Sequence, residues 1–154
     1  MDTDPKDDVL IFHEKDDTFD VFVYREKSRK YLVIGSESTL TSEYQILNAN
    51  TPLEPFKVFQ PRTRGLEYDI AHYEDYFYIL TNKDGATNFK LMRTPESVTT
   101  SEHWEEVIAH RPEVRLNDIE IFKDFLVVEE VYNGLEHIQI RSWDGSKAHY
   151  LPFN

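Results

Sequence analysis

The sequence predicts an all-β fold assembled from repeated four-stranded sheets, and three observations lead to this prediction. The first is composition: of 154 residues 14% are aromatic, with 9 Tyr and 10 Phe, whereas only 5 are Gly and 2 are Met. Aromatic residues favour strands over helices. The second observation is an internal repeat, and the third is the turn chemistry inside it. With 40% hydrophobic residues, a chain of this length suits one ordinary domain with its own core.

The repeat consists of two stretches that lie 49 positions apart and share one pattern of residue types without a gap. An aromatic-Xaa-Asp-aromatic motif is followed by an apolar strand, a turn ending in glycine and a second strand. At this offset Tyr76–Leu80 lies over Phe125–Glu129, and Phe89–Met92 lies over Ile138–Arg141. Each copy therefore predicts a β-hairpin.

Turn residues support the hairpins. The two copies have NKDG (Asn82–Gly85) and VYNG (Val131–Gly134) between their strands, and Asp-Gly and Asn-Gly supply the positive φ of tight β-turns. A third copy lies upstream, where Tyr31–Ile34 matches Tyr76–Ile79 at an offset of 45. Its predicted turn is SESTLTS, residues 36–42.

Every hairpin has a strand-like segment on each side, which gives four strands per unit. The preceding segments begin at Phe19, Leu66 and Leu116, and the following segments begin at Phe56, Trp104 and Ala148. Four-stranded units of about 45 to 50 residues are typical of propeller blades. The predicted blades are residues 19–61, 66–110 and 116–153, with residues 9–14 as the outer strand of a preceding blade, all within one partial domain of residues 1–154.

Three blades do not close a ring, because propellers have about four to eight. The predicted fold is thus an incomplete β-propeller of about three four-stranded antiparallel blades plus one extra strand, and Met1 is expected to lie inside a longer propeller. The alternative is a complete β-sandwich or an open array of three sheets.

Charge and composition restrict the function. Asp and Glu outnumber Lys and Arg by 29 to 17, a formal charge of -12 that opposes nucleic acid and attracts cationic partners, unless it serves only solubility. Without cysteine there is no disulfide and no thiolate site. No export signal and no apolar run of roughly 18 residues is present, so we expect a cytoplasmic protein without membrane contact.

Motifs for cofactors and catalysis are missing. The five glycines form neither a P-loop nor a dinucleotide fingerprint, so no cofactor is predicted. Ser36 lacks the second glycine of a nucleophile elbow. The six histidines have no metal-ligand spacing, and no metal site is predicted. Trp143 lies in a Trp-Asp dipeptide without the other marks of a WD repeat, and we interpret it as a packing residue.

Four acids are the candidate site residues. Glu67 and Asp69 alternate on one predicted inner strand, and Asp118 and Glu120 alternate on the matching one, so each pair is expected to point to one face. Some propeller enzymes are glycosidases that use such carboxylates, but plain alternation of solvent-facing acids fits the pattern as well.

Longer segments resemble a known family. The stretches 7–34, 38–47 and 67–92, with EKDDTF (Glu14–Phe19), TSEY (Thr41–Tyr44) and NGL (Asn133–Leu135) in order, resemble the propeller of the oligopeptidase B (protease II) branch of the prolyl oligopeptidase family. The resemblance covers residues 3–153.

This resemblance implies a cytosolic serine peptidase in which a seven-bladed propeller caps an α/β-hydrolase domain, acts as a substrate-size filter and admits short peptides cleaved after Lys or Arg. None of the catalytic positions lies in this chain, so we expect no catalytic residue here and no activity of the chain alone. Steering of basic peptides by the four acids is a further expectation, as is self-association of the isolated piece through its open faces. The alternatives are a stand-alone propeller module that binds a basic partner and a fragment of a glycosidase.

Overall fold

The computed structural model describes residues 4–152 and contains three four-stranded antiparallel sheets, each in simple sequential order. The first sheet consists of β1 (Asp20–Arg25), β2 (Tyr31–Ser38), β3 (Thr41–Asn48) and β4 (Lys57–Val58). The second consists of β5 (Tyr68–Tyr73), β6 (Tyr76–Thr81), β7 (Lys90–Pro95) and β8 (Glu105–Ile108). The third consists of β9 (Val114–Ile121), β10 (Leu126–Tyr132), β11 (Leu135–Arg141) and β12 (Ala148–Tyr150).

The remaining regular structure in the described residues is three short 3₁₀ turns, at Pro5–Asp7, Lys83–Gly85 and Ser101–His103. The predicted all-β class and the three four-stranded blades are therefore confirmed. Residues 1–3 and 153–154, which the predicted domain and its last blade include, lie outside the described part.

The 49-residue repeat is confirmed for the first strand of each hairpin and is wrong by two residues for the second. Tyr73 pairs with Tyr76, and 49 positions later the amide of Phe122 donates to the carbonyl of Phe125. Between the two hairpin strands, however, Ile79 pairs with Met92, whereas its counterpart Val128 pairs with Gln139. The second strands are therefore offset by 139 − 92 = 47 positions. The cause is the loop between the strands, which runs from 82 to 89 in one copy and has two residues in the other.

The predicted turns are met only in part, since NKDG lies in a longer loop, residues 82–89, with a 3₁₀ turn at Lys83–Gly85. Asn133 and Gly134 both have positive φ, 50° and 75°, and close a two-residue hairpin between Tyr132 and Leu135 as predicted. In the first sheet, by contrast, the pairing of β2 with β3 continues to Ser38 and Thr41, so the turn is only residues 39–40. Polar residues that suggested a loop in fact extend the strands.

The sheets stack in order through two apolar layers. Between the first and second sheets the fully buried rings of Phe59 and Phe77 meet edge to face at 5.0 Å, with Tyr44 and Trp104 in the same layer. Between the second and third sheets Leu91, Leu126 and Val128 are buried together with their neighbours. Each sheet therefore buries a face against the next, as blades of a propeller do.

Residues 9–14 form no strand in this chain. Val9, Leu10 and Ile11 are 78%, 77% and 68% exposed and belong to none of the three sheets. The prediction of a strand is thus not met here, since a strand needs a neighbour for its amides and carbonyls. The assignment of residues 9–14 to a preceding blade stays a prediction.

Candidate functional site

A pocket of about 300 Å³ opens where the three inner strands β1, β5 and β9 converge. Its walls are apolar or aromatic side chains, and three carboxylates from the three sheets point into it: Glu37, Asp69 and Asp118. None of the side chains lining it is basic. It is therefore an acidic site shared by all three blades.

A close approach shapes one wall of this pocket. Phe22 on β1 faces Gly35 on β2, and a β-carbon at Gly35 would lie 2.3 Å from the Phe22 ring. The missing side chain lets the ring cover the strand and reach Tyr44 edge-on at 6.1 Å. Glycine at this position thus fixes where Phe22 lies in the pocket.

Tyr44 forms the base of the pocket and joins two of its acids. Its side chain is 1% exposed, and its hydroxyl contacts the carboxylates of both Glu37 and Asp69, the latter at 3.1 Å. The hydroxyl of Tyr68 donates to the backbone carbonyl of Gln60, and its oxygen accepts from the backbone amide of Tyr44 at 3.1 Å. Burial, followed by the nearby carboxylates, raises the pKa of Tyr44, which keeps it a neutral donor.

The two aspartates occupy matching positions of the repeat. The Oδ1 of Asp69 accepts from the amide of Ile70 at 2.8 Å, and the Oδ1 of Asp118 accepts from the amide of Ile119 at 2.7 Å. Asp69 keeps contact with solvent, but many protein atoms surround its carboxylate. This desolvation raises the pKa of Asp69, and the charges of Glu37 and then Asp118 add smaller contributions. The pocket therefore gathers negative charge against an electrostatic cost.

A fourth acid lies close by. Glu26 is 5% exposed, one of its oxygens accepts from the amide of His72 at 3.3 Å, and burial raises its pKa. Tyr24, which lines the pocket, is half-buried, and desolvation raises its pKa, with a further contribution from the charge of Glu26. A cation entering the pocket would thus meet the field of several carboxylates.

The four predicted site residues separate into two groups. Asp69 and Asp118 both line the pocket, whereas Glu67 precedes β5 and Glu120 lies further along β9. The amide of Asn82 donates to Glu67 at 3.1 Å, and the ammonium of Lys27 pairs with Glu120. Only one member of each pair therefore lines the pocket, and the expectation that each pair points to one face stays a prediction.

Sequence reasoning missed Glu37 and Tyr44. The sequence pattern places Glu37 in a turn, but β2 extends through it and carries its carboxylate into the pocket. For Tyr44, the only feature of the sequence that could have indicated a role was its place in the TSEY motif. Trp143, interpreted as a packing residue, stacks on Tyr73 with ring centroids 4.6 Å apart, which confirms the interpretation.

Among residues 4–152 no group of three or more histidines or acids is arranged to hold a metal ion. In the same range no helix is long and apolar enough to cross a membrane.

Comparison with known proteins gives consistent results. Residues 1–152 match the family model described as prolyl oligopeptidase, N-terminal β-propeller domain. The chain is 38% identical to dipeptidyl aminopeptidase BI of Pseudoxanthomonas mexicana over 144 residues and 37% identical to protease 2 of Moraxella lacunata over 138 residues. These matches cover 94% and 90% of this chain but 20% of each relative, so the chain spans about a fifth of their length.

Solved structures show the same relationship. The chain superposes on oligopeptidase B from Leishmania major with a TM-score of 0.87 and 26% identity, covering 97% of this chain and 22% of that one. Oligopeptidase B from Trypanosoma brucei gives a TM-score of 0.88 and 28% identity, covering 99% of this chain and 22% of that one.

Proposed function

The chain belongs to the prolyl oligopeptidase family, as part of its N-terminal β-propeller domain, and from this premise we propose that it forms a filtering and steering wall in a serine peptidase of the oligopeptidase B type. In this proposal the propeller caps an α/β-hydrolase domain, admits short peptides that are cleaved after Lys or Arg, and excludes folded proteins. The chain alone is then inactive as a peptidase. A cytoplasmic location, expected from the sequence and from the resemblance, stays a prediction.

One observation supports the steering part of the proposal: Glu37, Asp69 and Asp118 converge from three blades in one pocket without a basic neighbour in its lining. Clefts lined by charge of one sign focus the electrostatic field and raise the local concentration of oppositely charged ligands. The net charge of -12 acts in the same direction. Short peptides that carry Lys or Arg are the ligands this field favours.

The test uses a full-length peptidase that contains this segment, with the pocket acids neutralised together as Glu37→Gln, Asp69→Asn and Asp118→Asn. We expect kcat/KM for a short arginine peptide to fall at low salt and the difference from the wild type to shrink as salt rises, because salt screens the field. A control variant removes three exposed acids outside the pocket: Asp17→Asn, Glu102→Gln and Glu113→Gln.

The control changes the net charge by the same amount, so it separates a local field from overall charge. If both variants lose kcat/KM equally, the pocket has no special role in steering. If neither variant changes kcat/KM at low salt, the steering proposal is wrong, although the family assignment would stand.

We also propose that the isolated 154-residue chain self-associates through sheet faces that have no neighbour. On the outward face of the first sheet Val21 and Val23 are 47% and 71% exposed, and the apolar residues Val9, Leu10 and Ile11 are exposed as well. Apolar patches of this kind usually mark contacts with other protein surfaces. Sedimentation equilibrium is expected to give dimers or larger species, and a compact monomer at all concentrations would contradict the proposal.

A further inference from the structure

Ser28, His72 and Glu96 form a chain of hydrogen bonds between the first and second blades. The Oγ of Ser28 is 2.9 Å from Nδ1 of His72, and Nε2 of the same ring is 3.1 Å from Oε2 of Glu96. A nucleophile within hydrogen-bond reach of a base, which a third group orients in turn, is the arrangement that activates a hydroxyl. From this geometry we propose that Ser28 is an activated nucleophile that reacts with electrophilic acyl and phosphonyl donors.

The surrounding contacts select one tautomer of His72. Glu96 is held by the ammonium of Lys30 at 2.6 Å and by the hydroxyl of Tyr31 at 3.2 Å, so it is an acceptor that keeps the proton of His72 on Nε2. Nδ1 then carries the lone pair that faces the hydroxyl of Ser28. The hydroxyl of Ser28 accepts from the backbone amide of Lys30 at 3.3 Å. Its proton is therefore free to be donated to Nδ1 of His72.

The histidine is fixed and uncharged. His72 is 3% exposed, and its ring lies between Tyr31 and Phe77 with centroids 4.8 and 4.9 Å away. The charged groups that act on the ring are Glu96, Lys30 and Asp75; burial, the largest effect, lowers the pKa of His72. A neutral imidazole of fixed orientation is the form that takes a proton from a hydroxyl.

Ser28 itself is accessible. It lies in the exposed turn between β1 and β2, whereas the base is buried beneath it. In the proposed step Oγ attacks the carbonyl carbon of an activated ester, its proton passes to Nδ1 of His72, and the bond to the leaving phenolate breaks. The phenolate departs with that proton, and the acyl group stays on Ser28.

The burial of His72 prevents a second step. Once Ser28 is acylated, water has poor access to Nδ1, so the acyl-serine is expected to persist and the reaction to stop after one equivalent. Peptide amides, whose leaving amines need protonation, fall outside the proposal, in line with a chain that is inactive as a peptidase.

The test treats the chain with a fluorophosphonate, in which the P–F bond breaks and a bond from Oγ to phosphorus forms as fluoride leaves. Intact mass and peptide mapping are expected to find one adduct, at Ser28. The Ser28→Ala variant should lose it, and the His72→Gln variant should react on the order of 100-fold more slowly, the usual contribution of a general base. The control Ser146→Ala removes an exposed serine in the loop between β11 and β12 and should leave the rate unchanged.

A second measurement does not depend on whether the His72 variant folds. The sequence has no cysteine, so Ser28→Cys and Ser146→Cys each provide a single thiol on an otherwise unchanged chain. We expect iodoacetamide to alkylate the Ser28→Cys variant at least about tenfold faster at pH 7, because the imidazole accepts the thiol proton. Equal alkylation rates, or a fluorophosphonate adduct spread over many serines, would overturn the proposal and leave the three residues a structural link between two blades.

Discussion

Removal of the Phe77 ring is expected to weaken the contact between the first two blades strongly. Phe77 is fully buried, and its ring lies 5.0 Å from Tyr31, 5.0 Å from Phe59 and 4.9 Å from His72. Phe→Ala changes in cores cost about 3 to 5 kcal/mol, and lost aromatic pairs add to the burial term. The Phe77→Ala variant should therefore lose about 4 kcal/mol of unfolding free energy.

The assay is urea unfolding followed by circular dichroism. Because about 4 kcal/mol approaches the whole stability of a small domain, Phe77→Leu serves as a milder variant with an expected loss of about 1 to 2 kcal/mol. The control is Phe122→Ala, which removes a ring that is 40% exposed and stacked on Phe125 at 4.8 Å, and should cost about 1 kcal/mol. A loss at Phe77 no larger than at Phe122 would refute stacking of the first two sheets through this layer.

Three further changes test other parts of the structure. Arg111→Met leaves the Glu130 carboxylate, which is 3% exposed, without its ion pair, and should cost about 3 kcal/mol in urea unfolding. Gly134→Ala places a β-carbon at a φ of 75° and should cost about 1 kcal/mol, while an unchanged midpoint would contradict the assigned turn. For Asp69→Asn the sign follows from the raised pKa: the folded wild type holds its proton more tightly than the unfolded chain, so it loses stability as pH rises above about 3.8. The variant should equal the wild type near pH 3 and exceed it at pH 7, and a lower stability at pH 7 would contradict the assigned desolvation.

Much of the fold was predictable because its repeat is local. The Asn133-Gly134 turn and the alternating strands on either side of it lie within one hairpin, so residues close together in the sequence are enough to predict them. The two-residue slip in the second hairpin strand was not readable, because register depends on backbone pairing across the sheet. The apolar residues of the segment 9–14 also favour a strand, but a strand forms only where a neighbouring strand can pair with its backbone.

The site was predictable only where repeat positions coincide with it. Asp69 and Asp118 were found because they occupy equivalent places on two inner strands. Glu37 and Tyr44 come from a different hairpin, and their approach to Asp69 is a consequence of how the sheets stack. The same is true of Ser28 and Glu96, which no spacing in the sequence connects to His72.

The most direct test of the central claim, that carboxylates from three stacked blades share one pocket, is the pKa of Asp69 measured by NMR titration of its side-chain carboxyl carbon. We predict a pKa above the ordinary value near 3.8, and a lower pKa in the Asp118→Asn variant because a neighbouring negative charge has been removed. An Asp69 pKa that is ordinary and indifferent to Asp118 would mean that the second and third blades do not meet at this pocket.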